Sequence, residues 1–282
     1  AVFIVATLLL FTGVSMVVRN LTAFDSTRDH ASTRTNPWGT KAWRELLEAS
    51  DIPTGTWGGP LTELSDEVEL LVIFDPVRHI SDEERNSLTH WVDSGGRLII
   101  APWAYRESEG IRGRAAAADF RMTLRDFDVR PATTGRAGAR VHPAIEGPLT
   151  ADISSVLVPT DARLRILPKA QERPEGAPRV VLTDEEGRPA AVTLSRGRGT
   201  VVVLSEAEIL ANATLPQADN VVVAANLVFA GGAPERVFFD EYHHGILDSE
   251  GVFGGPEVDV SPFRNTALAL LAVAVVHAVG RA

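Results

Sequence analysis

The chain has 282 residues, enough for one domain of ordinary size with appendages, or two small ones, around a substantial core. With 37 acidic and 27 basic residues its net charge is -10, which opposes tight binding to nucleic acid, and no basic stripe offsets it. The absence of cysteine excludes disulfides, thiolate metal ligands and a cysteine nucleophile.

The first residues, "AVFIVATLLLFTGVSMVV", carry no charge before Arg19 and have the length of a bilayer-crossing helix. Residues 1–19 are therefore expected to be a transmembrane anchor. A cleaved signal peptide is the rival reading, but no A-x-A-like site follows. Residues 20–35 read as a polar linker. At the other end, residues 246–261 read as a second linker and residues 262–282 as a second apolar segment, short for a span and broken by His277.

Between these ends, "NPWGTKAWRELLEAS" predicts an amphipathic helix with Asn36 as N-cap, Pro37 in the first turn, and Ala42, Trp43, Leu46 and Leu47 on one face. "ELLVIFDP", residues 69–76, is a continuous apolar run closed by Asp-Pro, as expected of a strand covered on both faces. Ser81 and Glu84 form a capping-box pattern, Leu88, Trp91 and Val92 repeat on one face, and "SGG" ends that helix. "RLIIAPW" is a further buried strand. Helix, strand, helix, strand over residues 36–103 predicts a parallel sheet.

Residues 104–150 mix an alanine-rich helical stretch with many turn formers and are read as loop plus short strands. "ISSVLVP", "RLRILP", "RVVLTD", "AAVTLS" and "GTVVVLS" between 153 and 205 are short strand patterns, with "EEGRP" and "RGRG" as turns, so hairpins are expected to be appended to the sheet or to complete it. "QADNVVVAANLVFAGG" reads as a buried helix and "RVFFDEY" as the last strand. The expected fold class is α/β: a mainly parallel sheet with flanking helices over residues 36–245, a β-rich hairpin region, and terminal membrane helices.

Three stretches together, "NPWGTKAWRELLEAS", "WVDSGGRLII" and "FFDEYHHG" before a second apolar segment, resemble the bacterial membrane proteins of domain-of-unknown-function family 4350. That resemblance implies a soluble part like a class I glutamine amidotransferase and an extracytoplasmic position at the cell membrane. It also implies protein partners in an envelope-associated assembly, with MoxR-type AAA+ ATPases and von Willebrand-type proteins encoded nearby. It does not imply a reaction. Active amidotransferases need a cysteine on a turn after a central strand; here the corresponding turn falls near "LIIAPWAYRESEG", and neither Trp103 nor Tyr105 can replace a thiolate. No G-x-S-x-G elbow offers a serine instead.

The richest chemistry lies in "FDEYHHG". In an extended chain Asp240 and Tyr242 point to one face, Glu241 and His243 to the other, while Gly245 permits a sharp turn after His244. Asp240, Glu241, Tyr242, His243, His244 and Gly245 are the candidate ligand- or partner-binding residues, with Asn36 at a helix start and Asp75 at a strand end as further candidates. Beside the binding of an unknown small ligand, two readings stay open. In one the cluster is a structural or partner-facing network without cofactor, in a non-catalytic, membrane-anchored scaffold protein. In the other Glu241, His243 and His244 hold a divalent ion and form a cryptic metal-dependent enzyme. His79, His90 and His142 are isolated and read as surface or satisfied histidines.

Overall fold

The structure, a computed structural model, describes residues 30–103, 110–171 and 176–245. The chain divides into two units, Ala1–Arg28 with Ser249–Ala282, and Asp29–Asp248, and the described residues belong to the second. The expected membrane segments 1–19 and 262–282 and the expected linker 246–261 lie outside them. Among the described residues no helix is long and apolar enough to cross a membrane.

The elements run in the order α1 (Lys41–Ala49), β1 (Thr54–Trp57), β2 (Leu70–Phe74), α2 (Asp82–Asp93), β3 (Arg97–Ala101), α3 (Gly110–Asp126), β4 (Val129–Thr133), β5 (Ala139–Pro143), β6 (Val156–Val158), β7 (Ala162–Ile166), α4 (Pro168–Gln171), β8 (Arg179–Thr183), β9 (Pro189–Arg196), β10 (Gly199–Leu204), α5 (Asn220–Phe229) and β11 (Val237–Asp240). Nine strands form one sheet in the order β1-β11-β2-β3-β10-β9-β8-β5-β6, and β4 pairs with β7 in a separate antiparallel ribbon.

The expectation of a mainly parallel sheet is corrected: the sheet is mixed. From β1 to β10 the neighbours are parallel; from β10 to β6 they are antiparallel. The switch occurs on β10, which takes β3 as a parallel neighbour along one edge and β9 as an antiparallel neighbour along the other. A tight β9–β10 turn forces the second pairing, so the hairpin strands extend the main sheet through β10. The runs at 70–74, 97–101 and 237–240 lie side by side as β2, β3 and β11.

Period-two alternation divides the apolar strands between two cores. Leu70, Val72 and Phe74 join Trp43 and Leu47 of α1 and Val223, Leu227 and Val228 of α5 on one face. Leu71 and Ile73 join Leu88, Trp91 and Val92 of α2 and Phe120 and Leu124 of α3 on the other. All five β2 side chains are buried, each contributing about 1.5–3 kcal/mol in transfer alone; Leu71→Ala would cost about 2–5 kcal/mol.

Local signals explain the element ends. Ser81 and Glu84 form a complete capping box at the start of α2. Gly199 opens β10 so close to α2 that a Cβ would lie 2.1 Å from Val92 O. The "RGRG" stretch is the β9–β10 turn, pinned to the end of α2 by Arg198 N donating to Asp93 O at 3.0 Å and Arg196 Nε to Asp93 Oδ1 at 2.9 Å. Asn36 does not cap α1, which begins at Lys41 after Thr40. The distant Asn212 supplies the acceptor instead, taking Ala42 N on Oδ1 at 2.8 Å.

Candidate functional site

Strands β2, β3, β10 and β11 are parallel, so their carboxyl ends share one end of the sheet, where open α/β sheets place ligands. β11 stops at Asp240 because its next two amides, Glu241 N and Tyr242 N, both donate to Trp57 O at 3.1 Å, at the end of edge strand β1. The chain then turns, and Gly245 closes the turn at φ +80, a left-handed conformation that suits glycine, with its N donating to Tyr242 O at 3.0 Å. The turn replaces the alternating faces expected of an extended strand with pairs three residues apart.

Two such pairs result. Asp240 Oδ2 meets His243 Nδ1 at 2.7 Å, and Glu241 Oε2 meets His244 Nδ1 at 3.0 Å. The other ring nitrogens face different elements: His243 Nε2 lies 3.2 Å from Glu84 Oε1, close enough for an ion pair but without hydrogen-bond alignment. His244 Nε2 contacts Phe74 O at the end of β2. Glu241 Oε1 accepts Ser32 N at 2.6 Å, and His243 O accepts both Val77 N and Arg78 N at 2.8 Å. The Arg78 guanidinium covers the Tyr242 ring 5.3 Å from its centroid. The turn thus clamps three separate pieces of chain: residues 30–32, the loop after β2, and the start of α2.

Asp75 ends β2 in a left-handed conformation, φ +43, with its N donating to Ala101 O at 2.9 Å. Its Oδ2 meets His30 Nδ1 at 3.1 Å, both side chains being buried. The strained backbone and the buried pair give Asp75 a role in this cluster beyond ending a turn.

Electrostatics follow from the partners. Burial opposes the charge of Glu241, but the His244 charge and the hydrogen bonds from His244 and Ser32 together outweigh it and hold the carboxyl below its usual range. Burial likewise disfavours charge on His243, yet Asp240 and Glu84 on either side raise its pKa. Glu84 is itself held low: burial is overcome by the Ser81 hydrogen bonds, the His243 charge and Leu61 N.

A second buried group lies at the end of β10. Glu206 accepts Thr160 N on Oε1 at 3.1 Å and meets Thr160 Oγ1 on Oε2. Burial, aided by the neighbouring Glu208, pushes its pKa up to about 8 against the Thr160 bonds and Arg163. Glu208 accepts Trp103 Nε1 at 3.0 Å, and the Trp103 ring stands 6.1 Å from His30, linking the two clusters.

Of the residues singled out from sequence, Asp240, Glu241, His243, His244 and Asp75 meet at this end of the sheet, and Tyr242 and Gly245 shape the turn. Asn36 is elsewhere: its Oδ1 accepts Trp38 N at 3.1 Å and Gly39 N at 2.8 Å in a local turn. Glu241, His243 and His244 do not face a common point, and among the described residues no group of three or more His, Asp or Glu side chains is arranged to hold a metal ion. His79 pairs with Asp119 at 2.7 Å on the surface, and His142 Nδ1 contacts Ser154 O at 2.9 Å. Sequence reasoning missed His30 and Ser32, placed in a linker but packed within the domain, and it missed Glu206 and Glu208. Glu84 was seen only as a cap.

The profile of a family described as "Domain of unknown function (DUF4350)" matches residues 32–228. No curated protein matches the chain. Among solved structures, the "mmIFT52 N-terminal domain" is similar at 15% identity and a TM-score of 0.50, over 66% of this chain and 86% of that one. The cytoplasmic protein STM1381 from Salmonella typhimurium LT2 is similar at 13% identity and 0.46, over 67% and 85%. The exo-beta-1,4-mannosidase Op5Man5 from Opitutaceae bacterium strain TAV5 is similar at 21% and 0.39, over 65% of this chain but 29% of its own. The first is a likeness of fold alone; the other two are too distant to carry an argument.

Proposed function

The chain belongs to the DUF4350 family, and from that premise we propose that it is a non-catalytic binding or scaffold component of a bacterial envelope-associated assembly. In this reading it works at the membrane, on the side away from the cytoplasm, with a MoxR-type AAA+ ATPase system as protein partner. The likeness to class I glutamine amidotransferases belongs to the same proposal. A domain of that kind without a cysteine lacks the nucleophile of its active counterparts.

One observation carries the reading: each acid of the Asp240–His244 turn is already paired within the chain, and the space beside the turn has room for about one water molecule. The alternative, a metal-dependent enzyme centred on Glu241, His243 and His244, is the weaker reading, because the two imidazoles turn to different partners.

The test uses the purified full chain and the purified MoxR-type ATPase of the same organism, mixed with and without ATP and followed by analytical ultracentrifugation. A stoichiometric complex is expected, with no turnover of ester, amide, phosphate or glycoside substrates by the chain. Absence of a complex, together with a hydrolytic activity lost in Glu241→Gln, would overturn the proposal.

A further inference from the structure

Beneath residues 30–32, at the carboxyl ends of β2 and β11, lies a small void. His30, Ser32, Asp240, Glu241 and His244 line its polar side. His30 and Ser32 are each 1% exposed. Two atoms on these residues, His30 Nε2 and Ser32 Oγ, are buried without a partner among the described residues. A buried polar atom left bare is unfavourable, because it has lost its water partners and gained none. Their neighbours cannot satisfy them, since Glu241 has one oxygen on Ser32 N and the other on His244 Nδ1, and His244 uses its second nitrogen on Phe74 O.

We propose that this void is a binding site for one water-sized protic molecule, held between His30 Nε2 and Ser32 Oγ, and that its occupant is water. The chemistry of the two atoms sets the orientation. With His30 Nδ1–H donated to the Asp75 carboxylate, the opposite nitrogen, Nε2, is the one left to accept. The water donates one O–H to that nitrogen and accepts the Ser32 hydroxyl. An anion is excluded by the Asp75, Asp240 and Glu241 carboxylates around the site, and anything larger than water by size. A void lined only by Val72, Phe74 and Phe239 would stay dry; the two unmatched polar atoms make this one wet.

The inference goes beyond the binding role proposed above and does not depend on it. It makes Asp75–His30 a carboxylate-oriented imidazole in contact with bound water at the carboxyl ends of the parallel strands. It also makes the water a bridge that ties residues 30–32 to the sheet.

The test is a high-resolution crystal structure of the full chain, with Ser32→Val beside it, and the ring 15N shifts of His30 in solution. One ordered water within about 2.7–3.2 Å of both atoms, its displacement in Ser32→Val, and a ring protonated on Nδ1 with Nε2 bare are the expected results. An empty site, or a direct bond between Ser32 Oγ and His30 Nε2, would overturn the proposal. So would a ring protonated on Nε2 alone. A melting temperature raised by ammonium chloride but not by sodium chloride, and lost in Ser32→Val, would replace water with a small cation and also refute it.

Discussion

At the carboxyl end of β11 the buried acids Asp240 and Glu241 each face an imidazole, whereas at the carboxyl end of β10 the buried Glu206 faces a threonine and a second acid, Glu208. Both sites are buried, and burial disfavours charge in each. Glu241 nevertheless stays below the usual carboxylate range while Glu206 is pushed up to about 8. Partner chemistry, not depth, decides whether a buried acid in this domain is an ion or a neutral donor.

The largest expected effect comes from breaking the ion-paired side. Glu241→Ala leaves the His244 imidazole and Ser32 N buried without their acceptor, and should cost about 3–5 kcal/mol in denaturant unfolding. A loss under about 1 kcal/mol would mean that the pairs contribute little.

The two buried acids, Glu206 and Glu241, should respond to pH in opposite directions. Glu206 has a folded pKa near 8 against an ordinary 4.5, so its stabilisation is complete below that ordinary value and is lost as pH rises through about 8. Stability of the parent should therefore fall by roughly 3–5 kcal/mol across that window relative to Glu206→Gln, which stays neutral. Glu241 is depressed, so its contribution is present above the ordinary carboxylate value and is lost as pH falls through its folded pKa. His243 is raised, so its contribution is complete below its ordinary value and is lost as pH rises through its folded pKa. Unfolding curves for parent, Glu206→Gln, Glu241→Gln and His243→Gln over pH 4 to 9 check the three signs.

Smaller effects sharpen the contrast at Glu84, which is both helix cap and neighbour of His243. Ser81→Ala should cost about 1 kcal/mol, the usual worth of an N-cap. Glu84→Ala should cost about 2–3 kcal/mol, because it also removes the acceptor of Leu61 N and one of the two acids beside His243. Equal losses in the two variants would confine Glu84 to capping.

What the sequence revealed depended on how local the signal was. The apolar runs at 70–74, 98–101 and 237–239 mark strands because they leave no polar position to face solvent, and the Ser81–Glu84 spacing marks the start of α2 because a capping box needs only four residues. The mixed character of the sheet was hidden: "GTVVVLS" reads the same whether its second neighbour runs parallel or antiparallel, and only pairing with β9 and β3 together shows that β10 joins the two halves. β1 was missed because "TGTW" is short and lies among prolines and glycines. His30 and Ser32 carry no pattern of their own. They become part of the cluster through partners 45 and 209 residues away, Asp75 and Glu241. Asn36 looked like a helix cap because Pro37 follows it, yet the acceptor for Ala42 N comes from Asn212, 170 residues on.

The central claim is that the "DEYHHG" turn is an ion-paired clamp satisfied by protein groups. Its most direct test is the melting temperature of the full chain and of Glu241→Ala, His243→Ala and His244→Ala, each with and without added zinc or manganese. The account predicts that every variant melts well below the parent and that the ions change nothing. A stoichiometric rise in the parent's melting temperature on adding either ion, abolished in His243→Ala and His244→Ala, would contradict it.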